Sequence, residues 1–125
     1  MMEFILKFEL AASDVARASA WYSEMLGWEP TNPGDTELIY EVGGAQFGVY
    51  PSDNAGTNKA TAVRLIVSDF DAVHADLLSK GVVFEDYDLG DDFRTVDGVL
   101  VSPDGEKTCW FKDSEGNILA LGSST

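Results

Sequence analysis

Few side chains in this 125-residue chain are equipped for chemistry. Lys7 and Glu9 alternate with Phe8 and Leu10, so a strand there places both on one face. Arg64 interrupts the apolar run Ala60–Val67 in a similar way. A carboxylate beside a cation can serve as a general base next to a group that stabilises an oxyanion, or it can form a structural ion pair. His74 is the only histidine and lies at the edge of a helical apolar stripe, four residues after Phe70, where a structural or solvated role is expected. Cys109 is the only cysteine, which excludes an intramolecular disulfide and a thiolate metal cluster and fits a small buried apolar residue. The stretch Glu85-Asp86-Tyr87-Asp88-Leu89-Gly90-Asp91-Asp92 offers oxygen ligands, but the EF-hand spacing fails. Gly90 comes one position early and Asp97 stands where a bidentate Glu belongs, so a solvated acidic loop or a cation-attracting rim is expected.

The elements that must position these groups can be read from periodicity. Phe4–Ala12 alternates as a half-buried strand. Ser13-Asp14 offers an N-cap, and Val15, Ala18, Trp21, Tyr22, Met25 and Leu26 recur at helical spacing up to Gly27. Trp21 and Tyr22 are expected to pack the helix. A turn at Asn32-Pro33-Gly34-Asp35, a strand Glu37–Val42, a Gly43-Gly44 hairpin and a strand Ala45–Tyr50 follow. Beyond a linker at 51–58 the order restarts: a strand Ala60–Val67, an N-cap at Ser68-Asp69, and a helix with Phe70, Val73, Leu77 and Leu78 closed by Gly81. Strands are expected at Val82–Tyr87, Thr95–Val101, Thr108–Phe111 and Ile118–Leu121. A shift of 55 positions lays Ser13-Asp14 on Ser68-Asp69 and Ala18 on Val73. This register implies an internal duplication within a single domain, 1–58 and 59–125. The expected class is α+β: two tandem βαβββ modules whose curved mixed sheets each carry a helix on one face and leave the other free to enclose a cleft.

Composition limits the partners. Eight Lys plus Arg against 22 Asp plus Glu give a formal net charge of −14, about half in each module, which repels phosphate backbones and anionic lipids. Neither nucleic acid nor membrane is an expected partner, and a cationic guest is favoured slightly. No apolar run approaches the roughly 20 residues of a membrane-spanning helix, and the acidic, alternating start lacks a secretory signal, so a cytoplasmic location is expected.

Residues 13–28, Ser13-Asp14-Val15-Ala16-Arg17-Ala18-Ser19-Ala20-Trp21-Tyr22-Ser23-Glu24-Met25-Leu26-Gly27-Trp28, resemble the first helix of the vicinal oxygen chelate superfamily, which includes glyoxalase I, extradiol dioxygenases, and fosfomycin- and bleomycin-resistance proteins. Trp110-Phe111-Lys112-Asp113-Ser114-Glu115-Gly116-Asn117-Ile118-Leu119-Ala120-Leu121 resembles its closing hairpin, with Ser114 where many relatives have proline. With the duplicated order, the resemblance covers essentially the whole chain. Asp113 is expected to hydrogen-bond the turn backbone and Gly116 to take a positive φ.

Enzymes of that superfamily generally hold a divalent ion with His and Glu side chains on cleft-facing strands. The resemblance places Lys7, Ala62 and Ala120 at three of the four ligand positions. It leaves the fourth open, with Glu37 and Glu41 in the corresponding region. Alanine has no donor and lysine binds metal only when deprotonated, so no metal and no cofactor are expected. What the resemblance then implies is a metal-independent homodimer of the bleomycin-resistance type, which sequesters a small organic molecule, cationic or aromatic, without transforming it. Lys7, Glu9, Arg64 and Trp110 are the candidate ligand-binding residues. Trp110 and Phe111 alternate, one facing the cleft and one the core, and the pattern leaves open which. The competing expectation is a lyase or isomerase with Glu9 as base and Lys7 or Arg64 as oxyanion stabiliser. No catalytic residue is assigned beyond that.

Overall fold

A computed structural model describes residues 2–32, 36–91 and 93–124. Pro33, Gly34 and Asp35 of the expected turn, and Asp92 of the acidic stretch, lie outside the described residues. The elements are β1 (Lys7–Ala12), α1 (Val15–Leu26), β2 (Leu38–Val42), β3 (Ala45–Pro51), β4 (Val63–Val67), α2 (Phe70–Ser79), β5 (Leu100–Val101), β6 (Lys107–Lys112) and β7 (Ile118–Ser123). They fall into two compact units: residues 1–57 with 113–117, and residues 58–112 with 118–125.

The sheet of the first unit has the order β1-β3-β2, with β1 parallel to β3 and β2 antiparallel to it. Alternation along the strands sends Leu10, Ala12, Leu38, Tyr40, Phe47 and Val49 to one buried face. Tyr22 of α1 is fully buried, with its ring 5.7 Å from Tyr40 and 5.6 Å from Phe47. Trp28 stacks on Tyr22 at 5.8 Å. Asp14 caps α1 by accepting from Arg17 N–H, and Gly27 ends it in the left-handed region. The strand is shorter than its sequence implies. β3 begins at Ala45, next to the hairpin, and pairs Gln46 with Lys7, so Phe4 and Ile5 run past the end of their partner strand.

The turn 113–117 belongs to this unit and is its polar centre. Asp113 Oδ1 accepts from the backbone N–H groups of Glu115 and Asn117, while Oδ2 accepts from Tyr22 Oη at 2.7 Å and Asn117 Nδ2 at 2.9 Å. Asn117 Nδ2 also donates to the carbonyl of Ala11. Gly116 has φ 88°, as the turn pattern requires. Arg17 donates through Nε and Nη2 to the carboxylate of Glu115, whose side chain is 1% exposed. Asp14 N–H and the Ser13 hydroxyl add two more donors. Arg17, helped by Asp14 N–H and the Ser114 hydroxyl, holds the Glu115 carboxyl at about 2, against the upward push of burial. A carboxyl held below its ordinary 4.5 stabilises the fold above that value and loses this contribution as pH falls towards about 2. Acid titration of unfolding should therefore show a loss between these limits, and Glu115→Gln should remove that segment of the pH profile.

In the second unit the order is β4-β7-β6-β5, with β4 parallel to β7 and the other neighbours antiparallel. In both units the strand before the helix pairs in parallel with the last strand. α2 is capped by Asp69 and buries Phe70 and Leu77, while Leu78 of the expected stripe is 56% exposed. His74 lies between Phe70 and Phe84, with ring centroids at 5.8 and 4.4 Å.

Two strands expected in the second half shrink to short segments. Val82–Tyr87 contributes one bridge, Phe84 to Phe111, with Glu85 N–H donating to the Trp110 carbonyl. Thr95–Val101 contributes only β5, together with the Val96–Val99 hairpin. Both segments use the same edge of β6, one at each end, so neither can extend along it. Among the described residues the first unit has three strands where the βαβββ plan calls for four; the segment 27–37 is much shorter than the segment 80–106 that supplies β5.

Cys109 is fully buried on β6, and burial pushes its thiol up to about 12. A thiol-specific reagent should leave the native protein unmodified at neutral pH and react once denaturant is added.

Candidate functional site

On the first sheet, the face opposite α1 carries Lys7 and Glu9. Lys7 Nζ lies 3.1 Å from Glu9 Oε1 and 2.6 Å from Glu37 Oε1, Glu37 being the residue before β2. Hydrogen bonds to Glu37 and then Glu9 raise the Lys7 pKa and keep it an ammonium. The chain of Lys7 crosses Gly48 on β3: a Cβ there would come 2.9 Å from Lys7 Cε. Lys7, Glu9 and Glu37 are thus brought together, with one lysine shared between two carboxylates.

The second sheet shows a related arrangement with different chemistry. Arg64, Ala120 and Trp110 are successive register partners across β4, β7 and β6 and share the face opposite α2. Arg64 Nη2 donates to Thr108 Oγ1 at 2.7 Å, and its guanidinium lies over Gly122, where a Cβ would sit 2.7 Å from Nη2. Gly122→Ala should displace the guanidinium from Thr108 while leaving the strand paired, because the obstructed atoms end a flexible side chain. A crystal structure of the variant, or the Arg64 Nε–H signal by NMR, reads this directly.

The ambiguity between the adjacent aromatics resolves in this unit. Phe111 is fully buried on the α2 side against Phe84, and Trp110 faces the other way. Tyr87 meets Trp110 edge-on at 5.4 Å, and Phe93 lies 6.1 Å from it. With Ile118, Leu89, Thr61 and Lys59 these rings line a cavity of about 180 Å³. Trp110 Nε1 donates to Thr61 Oγ1, so the indole is fixed in orientation as well as buried. This volume suits a single-ring guest, below the roughly 300–1,000 Å³ of pockets for drug-sized ligands.

Tyr87 and Phe93 escape sequence reasoning because they sit in the acidic stretch and the turn after it. That stretch is tied by Asp86, which accepts from Thr95 Oγ1 and Gly98 N–H, and by the Arg94–Asp88 ion pair. Two aromatic residues in an otherwise acidic loop are the signal that could have found them.

The positions that the resemblance makes metal ligands carry residues that do not fit a divalent ion. Glu9 pairs with Gly48 between β1 and β3, and Arg64, 55 positions further on, pairs with Ala120 between β4 and β7. Gly48 therefore holds in β3 the place that Ala120 holds in β7, and neither Glu37 nor Glu41 does. The four positions are Lys7, Gly48, Ala62 and Ala120: an ammonium engaged with carboxylates and three residues without a side-chain donor. No cluster of three or more His, Cys, Asp or Glu suited to a metal occurs among the described residues. No helix of the described residues is long and apolar enough to cross a membrane.

The sequence matches no family model and no curated protein. Solved structures do match. A glyoxalase / bleomycin resistance protein from Catenulispora acidiphila is 27% identical, with a TM-score of 0.71, over 98% of this chain and all of that one. A lactoylglutathione lyase from Agrobacterium tumefaciens superposes with a TM-score of 0.72 at 14% identity, over 98% of this chain and 95% of that one. A mutant fosfomycin resistance protein from Listeria monocytogenes, complexed with Mn(II), gives a TM-score of 0.70 at 14% identity, over 100% and 93% of the two chains. From its first strand to its closing hairpin, the chain has the fold of the vicinal oxygen chelate superfamily and resembles its glyoxalase and bleomycin-resistance members.

Proposed function

We propose that the protein is a metal-independent binding protein of the bleomycin-resistance type, which sequesters a small organic molecule with an aromatic part. The observation that supports it is the cavity around Trp110, with three aromatic rings, three aliphatic side chains and no carboxylate in its lining. Such a lining gives apolar contact and stacking to a planar guest and offers no base for proton abstraction. The substitution of every metal-ligand position adds to it. The competing lyase or isomerase reading needs a free base, and Glu9 is held by Lys7 at 3.1 Å. The net charge of −14 favours a cationic guest at long range, but Lys59 in the lining and Arg64 on the same sheet face set the local charge the other way.

Homodimerisation is part of this proposal. It follows the resemblance and gives cover to Phe4, Ile5 and Leu6, each more than 70% exposed ahead of β1. Light scattering on the purified protein tests it, and a monomer at all concentrations would contradict it. Binding is tested by titrating a panel of small aromatic compounds against tryptophan fluorescence and by calorimetry. The expected result is saturable binding that Phe93→Ala weakens. Catalytic turnover of a bound compound would favour the competing reading.

A further inference from the structure

We infer that residues 2–8 form the dimer interface, pairing antiparallel with residues 2–8 of a second copy and extending the first sheet across a two-fold axis at Ile5. The inference rests on the homodimerisation proposed above and commits it to one surface. β1 lies at the end of the order β1-β3-β2, so one of its edges has no strand beside it among the described residues. The residues ahead of it are equally unpartnered. The backbone of residues 2–5 makes no hydrogen bond among the described residues. Met2, Phe4, Ile5 and Leu6 are each between 76 and 89% exposed, and Phe8 on β1 is 48% exposed. A bare strand edge with this much apolar surface is a template for another strand.

The segment is complementary to itself. Laid antiparallel with Ile5 opposite Ile5, Met2 meets Phe8, Phe4 meets Leu6 and Glu3 meets Lys7. Every apolar side chain then faces an apolar one, and the acid faces the base. The neighbouring registers lose this match. An axis at Leu6 sets Glu3 against Glu9 and Ile5 against Lys7, and an axis at Phe4 sets Glu3 against Ile5. In a strand that continues β1, Met2, Phe4, Leu6 and Phe8 share the face of Leu10 and Ala12, which is the buried face of the sheet. Pairing therefore joins two apolar stripes into one that runs on from the core of the first unit in each copy. Lys7 already bonds Glu9 and Glu37, so the apolar pairs carry most of the stability and the charges select the register.

The test measures the mass of the wild-type protein, Ile5→Lys and Glu3→Lys by sedimentation equilibrium over a range of concentrations. Both positions are exposed, and circular dichroism confirms that each variant is folded. The expected result is a wild-type dimer, an Ile5→Lys monomer at every concentration, and a Glu3→Lys dimer about tenfold weaker than the wild type. Directly opposed residues of antiparallel strands lie about 4.5–5.5 Å apart at Cα, within disulfide reach, so Ile5→Cys should link the two copies on oxidation. Val83→Cys, exposed but outside the segment, should not, and the buried Cys109 takes no part. A wild-type dimer that survives Ile5→Lys, or that does not link through Ile5→Cys, overturns this interface and leaves homodimerisation standing. A Glu3→Lys dimer as tight as the wild type overturns the register. A wild-type monomer at all concentrations overturns homodimerisation and this inference with it.

Discussion

Asp113→Ala should lower the unfolding free energy by about 3–5 kcal/mol, among the largest effects of any single substitution in this chain. The carboxylate accepts four hydrogen bonds, from Glu115 N–H, Asn117 N–H, Tyr22 Oη and Asn117 Nδ2, and is itself only 6% exposed. Its removal strands several donors where water cannot reach them, and each such group costs about 1–3 kcal/mol. Tyr22→Phe removes one donor together with the need for it and should cost about 1–2 kcal/mol. Denaturant unfolding of the two variants separates a polar hub from ordinary packing. Equal small losses would show that the turn contributes little to the first unit.

The second large effect concerns Trp110. Trp110→Ala should abolish binding of an aromatic guest and destabilise the second unit by about 3 kcal/mol, since the indole packs with Leu100, Ile118 and Ala120. Loss of binding alone would therefore be ambiguous, and Phe93→Ala resolves it. Phe93 is 43% exposed, so its truncation should change stability by about 0.5 kcal/mol or less, yet it removes one wall of the cavity. A drop of about tenfold or more in affinity with an unchanged denaturation midpoint would assign the effect to the cavity. Affinity unaffected by both substitutions would place the guest elsewhere.

The strand faces were legible in the sequence because alternation has a period of two and the patterns are uninterrupted. Lys7 and Glu9 share one face of β1, and Arg64 shares a face with Ala120, as the spacing implies. The two helices follow from their stripes and caps. What was not legible depends on pairing between distant segments. Gly48 and Gly122 look like ordinary strand glycines until the register shows a basic side chain lying across each. The resemblance leaves its fourth ligand position open, with Glu37 and Glu41 in the region, and only the parallel pairing of β1 with β3 points to Gly48. The ion pair of Glu115 was not legible because its cation, Arg17, reaches it from the first turn of α1, 98 positions away. Trp110 and Phe111 are both apolar and adjacent, so pattern alone could not say which one meets Tyr87.

The central claim is that this chain keeps the fold of a metal-binding superfamily and binds an organic guest without the metal. It is tested most directly by elemental analysis of the purified protein, followed by calorimetric titration of the metal-stripped protein with Mn(II), Ni(II) and Zn(II), and by titration of the panel of small aromatic compounds with and without chelator. The account predicts no stoichiometric ion, no specific heat of metal binding, and an affinity for an aromatic compound that the chelator leaves unchanged. One tightly bound ion per chain, or organic binding that appears only when an ion is supplied, would contradict it.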